Sequence, residues 1–104
     1  MKVLVLELRA SGLLEPAKLP AYYAAIDAVT TPEQDAGRVV VLSGRMPLWL
    51  AAGVTHHLHP YAGVGIYDPR LEAAVLVSRH VPGLPEEGAV LARDESWEVR
   101  EVEL

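Results

Sequence analysis

Residues 39 to 42 read Val-Val-Val-Leu, an unbroken apolar run led by three valines and ended by Ser43-Gly44. Alternate residues of a strand point to opposite faces, so a strand of this composition has to be covered on both sides. That places it inside a sheet, beside a parallel neighbour, and parallel sheets come with helices packed over them. The chain is therefore committed to the α/β class, and its 104 residues, 51% of them hydrophobic, suffice for one domain (1–104) with its own core.

The rest of the chain supplies the partners that strand needs. Lys2 to Leu8 is rich in Val and Leu and stops at Ser11-Gly12, which predicts a first strand. A helix follows with Pro20 in its first turn and Tyr23, Ile26 and Val29 at helical spacing, until Thr30-Thr31-Pro32 ends the pattern. Residues 32 to 37 read as polar loop. A second helix is expected from Pro47 to about His57, with Leu48, Ala51, Ala52 and Thr55 facing the sheet and Gly53 weakening it locally. Ala62 to Tyr67 is strand again, its Gly63 and Gly65 sharing one face and leaving room for a neighbour or a ligand. Asp68-Pro69-Arg70-Leu71 has the makings of a type I turn, so Ala73 to Arg79 returns antiparallel. Pro82 to Gly88 reads as loop. The tail alternates Trp97 and Val99, then changes phase to Val102 and Leu104, which predicts a strand with a bulge near Arg100-Glu101. The order is β-α-β-α-β-β-β, a small α/β sandwich with a mixed sheet and helices on one face or split across both.

Charge and composition then narrow the function. A net charge of −5 has the wrong sign for a protein that binds long duplex nucleic acid by releasing counterions, although a small anion can still be held by a local group of arginines. With no cysteine there is no disulfide and no thiolate metal site, so any metal has to use histidine and carboxylate. No apolar run approaches the roughly 20 residues that cross a bilayer. The opening MKVLVLELR is interrupted by Glu7 and carries no cleavage pattern, so a cytoplasmic protein without a leader is expected.

Two turns and one cluster carry chemistry. Ser43-Gly44-Arg45, between a strand and a helix start, offers backbone N–H groups and a positive helix end to an anion. Tyr67, Asp68 and Arg70 stand at the end of another strand, and ligands of open α/β sheets bind beyond such carboxyl ends. If the two strands are parallel neighbours, the turns converge. His56, His57 and His59 lie one helix length further on, roughly 15 Å along its axis at about 1.5 Å per residue, so all these groups meet only across an oligomer interface. Each piece also has an ordinary reading. Asp-Pro alone is a turn, Ser-Gly alone a helix entry, histidines at a helix end interact with its dipole, and Trp49, Tyr22 and Tyr23 are first of all core or interface residues.

Taken together and in this order, SGRMPLWL, HHLH and YDPRL resemble the CRISPR-associated ring-nuclease family Csx-three (Crn-three) over residues 39 to 78. The resemblance implies a ferredoxin-like α/β fold, a homodimer that stacks on a second dimer around its ligand, and manganese-dependent (or other divalent-metal) cleavage of cyclic tetra-adenylate. It assigns Ser43, Gly44, Arg45 and Tyr67 to the ligand, His59, Asp68 and Arg70 to the reaction, and His56, His59 and Asp68 to the metal. The family's histidine that directly follows a serine is displaced here, with Arg79 between Ser78 and His80. One residue changes the face of a regular strand, so His80 stays outside the predicted cluster. Two other readings remain: a protein that sequesters cyclic oligoadenylate without cutting it, and a metal-dependent 3′ exoribonuclease on linear RNA.

Overall fold

A computed structural model describes residues 1–104. Six strands form one sheet: β1 (Val3–Arg9), β2 (Val39–Ser43), β3 (Gly63–Asp68), β4 (Ala73–Arg79), β5 (Val90–Ala92) and β6 (Glu98–Glu103), in the order β5-β4-β3-β2-β1-β6. β6, β1, β2 and β3 run parallel, β4 runs antiparallel to β3, and β5, antiparallel to β4, points the same way as β3. The expected α/β class and mixed sheet are found, with β2 central and all five of its residues buried. Within that class the strand order is distinctive. Both helical crossovers join adjacent strands, where a ferredoxin-like sandwich uses a split βαβ connection, and the chain then passes from β5 at one edge of the sheet to β6 at the other.

Crossover helices α1 (Leu19–Asp27) and α3 (Leu48–His57) lie on the same face of the sheet, as two successive right-handed crossovers running in one direction require. Between them and the sheet pack Leu4, Leu6, Leu8, Val40, Leu42 and Val64 from the strands, and Tyr22, Ile26, Leu50, Val54 and Leu58 from the helices and their ends. The helix-free face carries Val3, Val5, Val39, Val41, Ala74 and Leu76, covered by Leu84, Ala89 and Trp97.

Several expectations are corrected. Helix α3 turns Leu50, Val54 and Leu58 inward and leaves Leu48 89% exposed, because a helix apolar on most sides has no pattern that selects its buried face. In α1 the buried pair is Tyr22 and Ile26, and Tyr23 lies instead over the slot left by Gly53, where an added Cβ would meet its hydroxyl at 2.4 Å. Residues expected as polar loop form a one-turn helix, α2 (Pro32–Asp35), because the Asp35 carboxylate accepts the Thr31 N–H and closes the turn. The tail strand is regular along β1, without the expected bulge. The bulge lies in β4, where Val77 is the extra residue opposite Val64 and Gly65. The space beside Gly63 is taken by a neighbour: a Cβ there would meet the Ser78 carbonyl at 2.9 Å and Leu84 at 3.1 Å.

Behind the sheet, one ionic network pins α2 to β6 and β2. Asp35, 1% exposed, receives two hydrogen bonds from Arg100 at 2.9 and 3.3 Å, and Arg38 lies 3.5 Å away. Arg100 also donates to the Val29 carbonyl and to Glu98. Burial pushes the Asp35 carboxyl up, but the hydrogen bonds from Arg100 and from the Thr31 amide, with both nearby guanidinium charges, outweigh it and hold its pKa below the ordinary 3.8.

Candidate functional site

The parallel run of β1, β2 and β3 brings their carboxyl ends to one edge, and β2 and β3 are hydrogen-bonded neighbours. The chain leaves β2 through Ser43 and turns at Gly44, whose φ is +117°. No other residue fits there, since a Cβ would stand 2.4 Å from the Leu8 carbonyl oxygen in a backbone conformation that L side chains rarely adopt. The turn leaves the backbone N–H groups of Gly44, Arg45 and Met46 without a partner in the chain. Beyond them α3 begins at Pro47, with no side chain capping its first turn. Successive free N–H groups ahead of a helix start form an anion-binding concavity.

Ser43 sits beside Glu7 in the sheet, and Tyr67 is the next position along β3. Glu7, Ser43, Gly44, Arg45, Tyr67, Pro69 and Arg93 line one depression of about 490 Å³. The predicted ligand residues Ser43, Gly44, Arg45 and Tyr67 are thus gathered at one place. Arg93 and Glu7 are additions. Arg93 stands over the Tyr67 ring, 5.6 Å from its centroid, and reaches the site from beyond β5, a three-residue strand too short to announce itself in the sequence. The guanidinium over the ring face is a cation–π contact that fixes a second positive group at the rim.

Asp68 ends β3 and folds back onto the turn that follows. Its carboxylate accepts the Arg70 N–H at 2.9 Å and both Nε and Nη2 of the Arg70 guanidinium at 3.2 and 2.9 Å. Those hydrogen bonds hold the Asp68 carboxyl below its ordinary range and raise Arg70. Arg70 is nonetheless 88% exposed along its side chain, so its donors can be handed to a ligand at the surface.

The histidines occupy the opposite end of β3. His56 and His57 close α3, His59 follows it, and the chain then enters β3 at Gly63. Five strand steps of about 3.3 Å separate Gly63 from Asp68, about 16 Å in all. Within one protomer His59 is therefore not beside Asp68 and Arg70, and no three His, Asp or Glu side chains come together as a metal cage. His56 and His59 stack loosely, ring centroids 6.4 Å apart, while His57 lies flat on Tyr23 at 4.4 Å and bonds Asp27 at 2.8 Å. The set His56, His59 and Asp68 does not fit a metal ion in one protomer.

His80, set aside from sequence, has a defined place. The β4 bulge shifts the phase of the strand, so Ser78 pairs with Val64 on the helix-bearing face and His80 follows two residues on. Its Nε2 lies 2.6 Å from the Ser78 hydroxyl and its Nδ1 2.8 Å from the Tyr61 carbonyl, at the same end of β3 as His59. Arg79 itself pairs with Gly63, and the bulge at Val77 decides which face Ser78 and His80 take, which strand periodicity alone does not reveal.

The family model for CRISPR-associated protein (Cas_csx3) matches residues 10–92. The chain belongs to this family. Among individual relatives, an uncharacterized protein of Aquifex aeolicus (strain VF5) is 51% identical over 47 residues, which is 45% of this chain. The matched stretch spans 42% of that relative's own length. The Cas_csx3 match runs from the loop after β1 to the end of β5, and so includes the β2 turn, the histidine cluster and the Asp68–Arg70 turn. No helix of the structure is long and apolar enough to cross a membrane.

Proposed function

We propose that this Cas_csx3 chain is a ring nuclease that opens cyclic tetra-adenylate into linear oligoadenylates ending in 2′,3′-cyclic phosphate, and so switches off the CRISPR signal that the ring carries. One observation carries the reading. Gly44 and Arg45, whose N–H groups are free, line a single depression with Ser43, Tyr67 and Arg93, beside an exposed Arg70. That is an anion site of small-molecule size on a chain of net charge −5, which suits a compact polyanion better than a long duplex.

The chemistry asked of such a site is modest. A ribose 2′-hydroxyl attacks the adjacent phosphorus, the P–O5′ bond breaks, the hydroxyl proton leaves to a base and the 5′-oxygen receives one. Holding attacker and leaving group in line, and neutralising the phosphate, supply most of the acceleration. The amides of the β2 turn and the Arg70 fork hold and neutralise the phosphate oxygens. Histidine, titrating nearest neutral pH, suits the proton transfers. His59 and Asp68 stand at opposite ends of β3, a strand about 16 Å long, so the complete site needs His59 from one protomer facing Asp68 and Arg70 of another. A homodimer stacked on a second dimer with the ring between them meets that requirement, and a shared divalent ion such as manganese would draw its ligands from both protomers.

A second reading has its own support. A lone protomer offers phosphate contacts without a histidine beside them, which suits a protein that sequesters the ring without cutting it. Incubation with labelled cyclic tetra-adenylate, with and without manganese, at protein below and above ligand, separates the two. Multiple turnovers yielding linear di- or tetra-adenylate with a cyclic phosphate end establish the nuclease. A ring that stays intact yet co-migrates with the protein makes it a sponge. Cleavage of linear but not cyclic oligoadenylate would make it an exoribonuclease.

A further inference from the structure

Next to the anion depression lies a second hollow that neither the phosphate contacts nor the histidines use. It is the larger of the two, about 620 Å³, within the size range of small-molecule pockets, and Leu8, Leu13, Leu14, Met46, Trp49 and Arg45 form its working walls. Arg45 lines both hollows, so the two meet at one residue. Trp49 is half-buried in the first turn of α3, and Met46 packs beside it against the core. Opposite stands the loop after β1, with Leu13 93% exposed. The backbone N–H and C=O groups of residues 10–14 have no hydrogen-bond partner in the chain.

We infer that this hollow is a base subsite: it takes an adenine ring of the ligand whose phosphate rests on the Ser43–Arg45 turn. The inference rests on the cyclic oligoadenylate reading and deepens it. Single-stranded bases are recognised by stacking on aromatic and guanidinium planes and by hydrogen bonds to their Watson–Crick edge. Trp49, Met46 and Arg45 supply flat, polarizable and cationic surfaces. The unpartnered amides and carbonyls of residues 10–14 are a donor and acceptor series that can meet the N1 acceptor and N6 donor of adenine. A bound base would also cover Leu13, whose exposure has no other account in the chain. The shared arginine explains why phosphate and base are read together, since a nucleotide places the two on either side of its ribose.

The test compares the affinity of the full chain for cyclic tetra-adenylate and for cyclic tetra-uridylate, which carries the same phosphates on smaller bases. The unaltered protein is expected to favour the adenylate ring by about tenfold or more. Trp49→Ala and Leu13→Ser should each reduce that preference towards unity, the second at little cost to the fold because Leu13 is 93% exposed. In a Trp97→Phe background, where Trp49 is the one remaining tryptophan, its emission should be quenched as the adenylate ring binds. A preference intact in both variants with unchanged Trp49 emission overturns the base subsite while leaving the phosphate reading standing. A Leu13→Ser protein that changes its oligomeric state and keeps its preference overturns it in favour of a protein interface. If the unaltered protein binds neither ring, the functional reading fails first and the subsite with it.

Discussion

Gly44 and Asp68 show how single residues set the anion edge. At Gly44 the positive φ and the 2.4 Å approach of a Cβ to the Leu8 carbonyl exclude every side chain. Gly44→Ala should therefore displace the β2 turn and weaken binding of cyclic tetra-adenylate about tenfold or more, a loss on the order of 1–3 kcal/mol for one strained backbone position. Isothermal titration against the ring, with circular dichroism to confirm the fold, checks it. Asp68 acts on Arg70 through two side-chain bonds and one to its backbone. If Asp68 and His59 serve the transition state, Asp68→Ala and His59→Ala should each abolish cleavage with ring affinity nearly unchanged, as single-turnover rates and binding isotherms would record. Equal losses of both would assign them to holding the ring.

Among elements, the one-turn helix α2 depends on charges brought from the tail. Arg100, on β6, supplies the Asp35 carboxylate with two of its hydrogen bonds. Arg100→Met removes them and leaves a buried carboxylate with Arg38 and the Thr31 amide alone. Because those partners remain, the cost should lie at the lower end for a broken buried pair, about 3 kcal/mol, and thermal unfolding should fall by at least about 10 °C. The same network predicts an acid limit. The Asp35 pKa is lower folded than unfolded, so as pH falls below the ordinary 3.8 the unfolded chain binds the proton first and stability is lost; above it the contribution is fully present. Melting curves between pH 7 and pH 3 should fall steeply below pH 4, and Asp35→Asn should flatten that fall from a lower starting point.

For the whole molecule, the separation of His59 from Asp68 by the length of β3 is the governing fact. A site shared between protomers makes specific activity fall as the protein is diluted through its dissociation range, and a flat dilution series would require a self-contained site. It also predicts complementation. Inactive His59→Ala and Asp68→Ala chains, once mixed and allowed to exchange subunits, should regain part of the cleavage activity, because some interfaces then pair an intact His59 with an intact Asp68. A mixture that stays inactive argues against sharing.

Much of this architecture was legible in the residue order because it rests on local rules. The Val39–Leu42 run demanded a covered central strand, Asp68-Pro69 made the tight turn into β4, and Ser43-Gly44 broke the chain where a parallel neighbour brings a second turn beside it. Those features need only strand periodicity, turn chemistry and the rule that parallel strands share a carboxyl edge. What the tertiary structure alone decided comes from partners distant in sequence. The buried face of α3 was selected by Tyr23 filling the gap at Gly53, α2 exists with its charge answered by Arg100 about sixty-five residues away, and the bulge that re-aims Ser78 and His80 forms only against Val64 and Gly65. Arg93 reaches the anion edge through β5, whose three residues pair with β4 and carry no periodic signal of their own. Local pattern commits the chain to its strands and turns because backbone geometry is local. Helix facing, buried charge and the completed rim depend on packing between distant segments, and that is settled only when the chain has folded.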